Sequence, residues 1–298
     1  MQELLETPSG KGAADENFQV GSILLPAKLR PHVMAFYHFV RAADDVADNP
    51  DLAPAAKVER LARFRAALVG PGDPARDFPK AGALRASLAA TGVTAQHALD
   101  LLTAFELDAT KLRYADWADL MGYCRLSASP VGRYLLDLHG EDRALWAYSD
   151  PLCDALQVLN HLQDCQPDYR QLDRVYLPLD VLAAEGLGVG ALGGAAAGPA
   201  FRRVLDRLLD ATDGLLARAA EAPRLMRNRR LAAETAVVLE MARHLARALR
   251  RRDPLAERVE LSKPRFLVAG ILGLGRMVGQ RLVPGPARDR PLAASGGP

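Results

Sequence analysis

Helical periodicity is the feature that most constrains the fold of this chain. Apolar residues recur at intervals of three and four along most of its 298 residues, and no segment alternates cleanly in the manner of a β-strand. A chain that offers no sheet has to bury its helices against one another. The pattern therefore predicts an all-α fold with helices at 28–48, 55–69, 80–90, 94–112, 116–139, 143–165, 199–220, 227–250 and 261–281.

The segments between and beyond these helices indicate a single domain. No linker separates two cores, and a hydrophobic content of 49% suffices for one large core. We expect this domain to span 15–284, between disordered tails at 1–14 and 285–298 that are rich in Gly, Pro, Ser and Ala. The Gly- and Ala-rich segment GLGVGALGGAAAGP (186–199) predicts a long connection that is mobile or forms a lid.

Composition and motifs argue against several classes of function. A net charge of +2 provides no basic excess for binding nucleic acid. The three cysteines form no CxxC pair, and no histidine pattern completes a zinc site. The polar, acidic N-terminus lacks the features of a signal peptide, so we expect a cytoplasmic protein. The apolar run FLVAGILGLG (266–275) is too short to span a bilayer and predicts a buried helix or, alternatively, a helix that touches a membrane.

An acidic cluster, RAADDVAD (41–48), lies in an otherwise apolar helix. Asp44 and Asp48 are four residues apart, so both carboxylates lie on one face of the helix, about 6 Å apart along its axis. The same face continues backwards through Arg41 and Tyr37, while Asp45 lies off this stripe. One stripe is therefore polar while most of the remaining helix surface is apolar.

A second segment, QVLNHLQDCQPD (157–168), repeats this arrangement. Asp164 and Asp168 are again four residues apart, and Asn160 and Gln157 extend their stripe backwards. Two separate helices thus each carry a pair of carboxylates against an apolar background.

Paired carboxylates on apolar helices indicate a metal site. Like charges at this spacing destabilise a helix, and two pairs facing each other in a bundle cost more unless cations lie between them. Mg²⁺ prefers oxygen ligands and bridges carboxylates to phosphates, so the pattern predicts Mg²⁺ and a diphosphate. Arg41 shares the acidic stripe and is the best candidate to bind the diphosphate, with Arg258, Lys263 and Arg265 as further cations. The alternative for each of these charges is a solvated surface position.

Three segments resemble motifs of the squalene/phytoene synthase family. ADDVAD (43–48) resembles its first aspartate-rich motif, NHLQDCQPDYRQLDRVYLP (160–178) its second, and YCRLSASPVG (123–132) the segment between them. The resemblance covers residues 17–265. Within the family it is strongest to the bacterial hydroxysqualene synthases of hopanoid biosynthesis, as seen at 16–31, 111–140 and 155–165. Relatives that condense two prenyl diphosphates usually have an arginine where this chain has Gln163.

The resemblance implies an isoprenoid synthase helical bundle around a central apolar cavity, with the aspartates at its mouth. The substrate would be presqualene diphosphate, which would ionise, rearrange and capture water to give hydroxysqualene and diphosphate. Arg41 would bind the diphosphate. The expected ligands of Mg²⁺, the only cofactor expected, are Asp44, Asp48, Asn160, Asp164 and Asp168.

Further side chains are expected to contact the substrate or a passing positive charge. Gln157 would contact the intermediate or position water. Candidate aromatic residues are Phe18, Phe36, Tyr37 and Tyr123. Core packing is the alternative for all but Tyr37, which shares the stripe of Arg41, Asp44 and Asp48. The full set of substrate-binding candidates is Phe18, Arg41, Tyr123, Gln157, Asn160 and Arg258.

Two prolines depart from the expected pattern. Pro167 lies between the aspartates of the second motif, which predicts that the helix ends there and that Asp168 moves off the ideal position. Pro130 is expected to help break the helix of the middle segment.

Two alternative functions stay open on the sequence alone. One is a head-to-head prenyl transferase that makes presqualene diphosphate or phytoene, in which case Gln163 carries no meaning. The other is a non-catalytic assembly factor with the same fold. Because the expected substrate and product are largely hydrocarbon, we also expect peripheral contact with a membrane and functional coupling to a presqualene diphosphate synthase.

Overall fold

The computed structural model describes residues 25–72, 74, 77–260, 272, 273 and 275. Within them the chain forms helices and no β-sheet, apart from a single parallel bridge between Arg113 and Val175. The all-α prediction is therefore confirmed. The helices are α1 Arg30–Asp48, α2 Pro54–Val69, α3 Pro79–Thr91, α4 Gln96–Thr110, α5 Trp117–Ser127, α6 Ser129–Leu138, α7 Trp146–Gln163, α8 Cys165–Leu172, α9 Leu179–Ala184, α10 Pro199–Ala219, α11 Ala222–Leu225 and α12 Arg229–Leu249.

Local sequence signals set many helix boundaries. Proline occupies the first or second position of α1, α2, α3, α6, α10 and α11, where its missing N–H costs no helical hydrogen bond. Helix α3 ends at Gly92, whose φ of 71° lies in the left-handed region that glycine enters without a steric penalty. The side chain of Asp116 accepts a hydrogen bond from the backbone N–H of Asp119 and caps the start of α5.

Helix α7 holds the bundle together. It packs against α5, α6, α10 and α12, while α1 to α4 pack mainly against one another. Two buried apolar clusters result, one built around α5, α7, α10 and α12, and one around α1 to α4 with α6. The second half of α7, which leads to the second acidic motif, is therefore fixed by core packing on several sides.

The middle segment is divided where the sequence predicted one helix over 116–139. Helix α5 ends at Ser127 and α6 begins at Ser129, because Ala128 leaves the helical conformation (φ −126°, ψ −51°). Pro130 lies in the first turn of α6, so its predicted role at a helix break agrees with the structure. Gly132 lets α6 approach α7 closely, because a Cβ there would lie 2.6 Å from Sγ of Cys153.

The segment after α7 contains more helix than the sequence predicted. Helices α8 and α9 were not predicted, and the connection at 186–199 contains a 3₁₀ helix, Val189–Gly193. This connection is anchored: Leu192 is fully buried, and Nε2 of Gln166 donates to the carbonyl of Gly194 at 2.6 Å. The expected mobile connection or lid is thus tied to α8 in this structure.

Several predictions fall outside the described residues. These are the tails at 1–14 and 285–298, Phe18, Lys263 and Arg265, and most of the apolar run at 266–275. The single domain over 15–284 likewise stays a prediction. In the part of the chain that the structure describes, no helix combines the length and apolarity needed to cross a membrane.

Candidate active site

The predicted polar stripe forms on α1. The buried face of this helix carries Phe36, Phe39, Ala43, Val46 and Ala47, which pack into the apolar cluster built around α1 to α4 and α6. The stripe of Tyr37, Arg41, Asp44 and Asp48 therefore points away from this cluster, and these side chains are only partly buried.

Arg41 forms two ion pairs on its own helix. Its guanidinium lies 3.0 Å from Oδ2 of Asp44 and 2.8 Å from Oδ1 of Asp45. The side chain of Asp45 is only 6% exposed, so this residue, which the sequence placed off the stripe, orients Arg41 from the buried side. Sequence reasoning missed Asp45 because a partner at i+4 was not considered for the arginine.

The second motif spans a helix junction. Helix α7 ends at Gln163, Asp164 forms the junction, and α8 begins at Cys165. The backbone N–H of Asp168 still donates to the carbonyl of Asp164 at 2.9 Å, so the two aspartates keep their one-turn relationship. Pro167 lies in the first turn of α8, where no helical hydrogen bond is lost, and the predicted break falls three residues earlier than Pro167.

The carboxylates of the two motifs act on one another. Burial, followed by repulsion from Asp48, raises the pKa of Asp44 to about 8, against the opposing effect of Arg41. Burial, followed by repulsion from Asp164 and Asp48, raises the pKa of Asp168 to about 8. Asp48 therefore influences an aspartate of each motif, which shows that the bundle brings the two predicted pairs together.

A cleft of about 590 Å³ opens between the motifs. Asp48, Asp164 and Asp168 line it, as does the segment after α12 with Arg258. Among the residues that the structure describes, no three His, Cys, Asp or Glu side chains converge closely enough to hold a metal ion.

Arg174 is a site residue that sequence reasoning did not select. Its side chain is buried and donates to Oδ1 of Asp48 at 2.6 Å, to the carbonyl of Ala47 at 2.9 Å and to the carbonyl of Asp108 at 3.0 Å. The available signal was its place in NHLQDCQPDYRQLDRVYLP (160–178), the segment that resembles the second motif of the family. Arg174 thus places a positive charge next to Asp48, which lines the acidic cleft.

A buried carboxylate supports Arg174. Asp108 on α4 accepts hydrogen bonds from the hydroxyls of Tyr123 at 2.9 Å and Tyr176 at 2.7 Å. Burial raises its pKa to about 6, against the lowering effects of Arg174 and of the two tyrosine hydrogen bonds. Tyr123, a predicted substrate-binding residue, thus has its hydroxyl committed to Asp108. The only sequence signal for Asp108 was an aspartate within the apolar run of α4.

The polar stripe on α7 is also ordered by neighbours. Nε2 of Gln157 donates to Nε2 of His161 at 3.2 Å, and burial lowers the pKa of His161 to about 3, so this ring is neutral and able to accept. Tyr176 stacks on His161 with ring centroids 3.6 Å apart. Asn160 is half-buried, and its backbone carbonyl accepts a hydrogen bond from the backbone N–H of Asp164 at 2.9 Å.

An apolar cavity of about 260 Å³ lies between α1 and α7. Phe36, Tyr37 and Val40 of α1 line it, together with Leu152 and Leu156 of α7. Tyr37 lies one turn before Arg41 on α1, so this helix carries apolar cavity wall in its middle and carboxylates at its end. An apolar chamber beside an acidic cleft suits a ligand with a hydrocarbon part and an anionic head.

Comparison with known proteins identifies the family. The family model described as squalene/phytoene synthase matches residues 12–265. The chain belongs to the squalene/phytoene synthase family. It is an enzyme of this kind, which removes the assembly-factor alternative and confirms the family predicted from the two aspartate motifs.

Three curated relatives of this squalene/phytoene synthase family member, at 41–46% identity, are named hydroxysqualene synthase. The hydroxysqualene synthase of Rhodopseudomonas palustris is 46% identical over 269 residues, which cover 90% of this chain and 91% of that protein. The hydroxysqualene synthase of Zymomonas mobilis is 43% identical over 272 residues, with coverage of 90% and 91%.

Solved structures of the family confirm the fold. A squalene synthase from Alicyclobacillus acidocaldarius is 31% identical with a TM-score of 0.68, covering 78% of this chain and 87% of the other. A dehydrosqualene synthase crystallised with a ligand has a TM-score of 0.75 at 22% identity, covering 88% and 92%. The predicted isoprenoid synthase bundle of this squalene/phytoene synthase family member is therefore confirmed.

Proposed function

We propose that this enzyme converts presqualene diphosphate and water to hydroxysqualene and diphosphate with the help of Mg²⁺. The observation that carries the proposal is the pair of acidic motifs facing a common cleft beside an apolar cavity. Relatives named hydroxysqualene synthase at 41–46% identity support the choice of reaction. We propose that this reaction belongs to squalene and hopanoid biosynthesis.

The donor set of the cleft fits Mg²⁺. Asp44, Asp48, Asp164 and Asp168 offer hard carboxylate oxygens, and Asn160 adds an amide oxygen beside them. Burial, followed by repulsion from neighbouring aspartates, raises the pKa values of Asp44 and Asp168, and bound cations would relieve the repulsion. These five residues would hold the ions. When bound, Mg²⁺ neutralises charge on the departing diphosphate.

Cationic side chains would act on the same leaving group. The C–O bond of the substrate breaks, and its electron pair leaves with the diphosphate. Arg41 is oriented by Asp45 and lies beside Asp44, where its guanidinium can bind a departing phosphate oxygen. Arg258 lines the cleft together with Asp48, Asp164 and Asp168. The remaining carbocation rearranges, bonds to a water oxygen and loses one proton from that water.

The apolar cavity would hold the hydrocarbon chains and limit access of water to the cation. Phe36 and Tyr37 present aromatic surfaces there that can stabilise positive charge. Gln157 is held by His161 and is our candidate for positioning the attacking water. Tyr123 and Phe18 complete the proposed set of substrate contacts.

We extend the proposal to where the substrate is delivered. Presqualene diphosphate and hydroxysqualene carry long hydrocarbon chains, so exchange with a membrane surface would keep both in an apolar phase. We propose peripheral action at the cytoplasmic membrane face and coupling to a presqualene diphosphate synthase. Flotation with vesicles that contain the substrate, compared with empty vesicles, tests the membrane contact.

A product assay tests the reaction itself. Purified protein receives Mg²⁺ and presqualene diphosphate in H₂¹⁸O, with farnesyl diphosphate in a parallel reaction. We expect ¹⁸O-labelled hydroxysqualene from presqualene diphosphate only, and none after addition of EDTA. Conversion of farnesyl diphosphate to presqualene diphosphate would instead place the enzyme on the condensing branch, and an unlabelled or non-hydroxylated product would overturn the proposed capture of water.

A further inference from the structure

One wall of the acidic cleft is formed by the short segment that follows α12. We name residues 253–260 the strap. Leu255, Glu257 and Arg258 of the strap line the same cleft as Asp164 and Asp168. Its position therefore decides the width of the cleft and which charges face the aspartates.

Gln163 connects the second acidic motif to the strap. This side chain is only 4% exposed, and its Nε2 donates to the carbonyl of Val259 at 2.5 Å. Val259 itself is fully buried. Since Gln163 directly precedes Asp164, one hydrogen bond ties the strap to the residue next to a carboxylate of the cleft.

Other contacts hold the strap along its length. Arg252 forms two hydrogen bonds with Glu257, of 2.8 and 2.6 Å, and also donates to the carbonyls of Arg258 and Glu260 at 3.2 Å each. The carboxylate of Asp253 accepts from the N–H groups of Ala197 and Leu255. These bonds shape the strap, and the Gln163 amide links it by a side-chain hydrogen bond to the end of α7.

Charge makes the position of the strap chemically important. Arg258 is the only cationic side chain among the described residues that line the cleft, and Asp48, Asp164 and Asp168 line the same cleft. It is 67% exposed and pairs with Glu260 at 2.6 Å, so its guanidinium is at the surface of the cleft and not buried in its wall. A bound diphosphate would need this positive charge held at a fixed distance from the carboxylate side.

We propose that Gln163 is a positioning residue for the diphosphate group: its hydrogen bond to Val259 holds the strap so that Arg258 faces the anion across the cleft. The inference rests on the proposed function for the presence of a diphosphate. It assigns Gln163 a role in binding the leaving group and not in the chemistry of the hydrocarbon part. Gln163 acts through Arg258, so removal of either residue should weaken the same interaction.

A double-mutant cycle on inorganic diphosphate tests this role. Inhibition constants for inorganic diphosphate with Mg²⁺ are measured for the wild-type full chain, Gln163→Leu, Arg258→Gln and the double variant. We expect each single substitution to raise the inhibition constant of inorganic diphosphate about tenfold. The KM for presqualene diphosphate should rise by a similar factor, with kcat changed less than about threefold. The double variant should show no further increase, because both changes remove one interaction.

A matched control separates positioning from general stability. Ser129 is fully buried and donates to Asp154 at 2.8 Å between α6 and α7, away from the cleft. Ser129→Ala should lower the melting temperature at least as much as Gln163→Leu does, yet leave the inhibition constant of diphosphate unchanged. An inhibition constant does not depend on how much of the protein is folded, so a purely structural effect of Gln163→Leu would leave it unchanged.

The outcomes distinguish this inference from the proposed function. Additive increases in the double variant, or an unchanged inhibition constant in Gln163→Leu, would overturn the positioning role even if the wild-type enzyme makes hydroxysqualene. A non-additive cycle supports it even if the wild-type enzyme turns out to make a different prenyl product, because only the diphosphate is probed.

Discussion

Nη1 of Arg174 lies 2.6 Å from Oδ1 of Asp48 and so ties the end of α1 to the segment that follows α8. The same guanidinium also donates to the carbonyls of Ala47 and Asp108. The acidic cleft therefore has a built-in positive charge at its base, which supports α1 and partly offsets the repulsion among the aspartates.

Replacement of Arg174 by methionine should destabilise the protein strongly. Asp48 loses its partner and two backbone carbonyls lose their donor, so we expect the free energy of unfolding to fall by about 3 kcal/mol in urea titrations. The control is Arg250→Met, which removes pairs with the exposed Asp210 and Asp213 and should cost less than about 1 kcal/mol. Equal effects of the two changes would contradict a structural role specific to Arg174.

Neutralising Asp168 should stabilise the metal-free protein while it removes activity. The pKa of Asp168 is raised in the folded state, so its ionisation opposes folding, and this penalty grows as pH rises from about 4 to about 8. We expect Asp168→Asn to raise stability by roughly 1 kcal/mol at pH 8 and by less at pH 5, and to lower kcat/KM at least about 100-fold. The measurements are urea unfolding without divalent ions and the product assay with Mg²⁺.

The exposed Asp51 offers a control for this pair of effects. Asp51→Asn should change neither stability nor activity, since a single exposed carboxylate contributes little. A loss of stability in metal-free Asp168→Asn at pH 8 would show that the raised pKa has been misassigned.

Removal of the Tyr176 hydroxyl should cost more stability at high pH than at low pH. This hydroxyl donates to Asp108 at 2.7 Å and helps to lower a pKa that burial raises to about 6. The hydrogen bond favours ionised Asp108, so Tyr176→Phe should cost about 2 kcal/mol at pH 8 and less than about 1 kcal/mol at pH 5. Denaturant titrations at the two pH values give the comparison.

Tyr134→Phe provides the matched control, because its hydroxyl donates to the carbonyl of His32 at 3.0 Å and not to an acid. Its cost should be the same at both pH values. A similar pH-independent cost for Tyr176→Phe would mean that Asp108 does not change its charge between pH 5 and pH 8.

Addition of one methyl group at Gly132 should disturb the contact between α6 and α7. The new Cβ would lie 2.6 Å from Sγ of Cys153 and also meet the hydroxyl of Ser149, so Gly132→Ala should lower the free energy of unfolding by about 2 kcal/mol. Gly122 on α5 has open space at its Cβ position, and Gly122→Ala should be neutral or stabilise by up to about 1 kcal/mol. Thermal and urea unfolding of both variants test whether close approach or helix propensity dominates.

Much of the candidate site could be predicted because each half of it is local. The stripes of Tyr37 to Asp48 and of Gln157 to Asp168 depend only on the spacing of residues along a helix. Pro130 likewise marks a boundary through its own geometry. The junction at Asp164 could not be located this way, because it depends on how α7 packs while α8 turns away.

The sequence by itself therefore determined the helical class, the two carboxylate pairs and the family, since each follows from short-range spacing or from a contiguous motif. Only the tertiary structure decided which residues meet across the bundle: Asp48 with Arg174, Asp108 with two tyrosines, and Gln163 with the strap. Such contacts join residues that are distant along the chain, and helical periodicity carries no information about the direction in which separate helices pack.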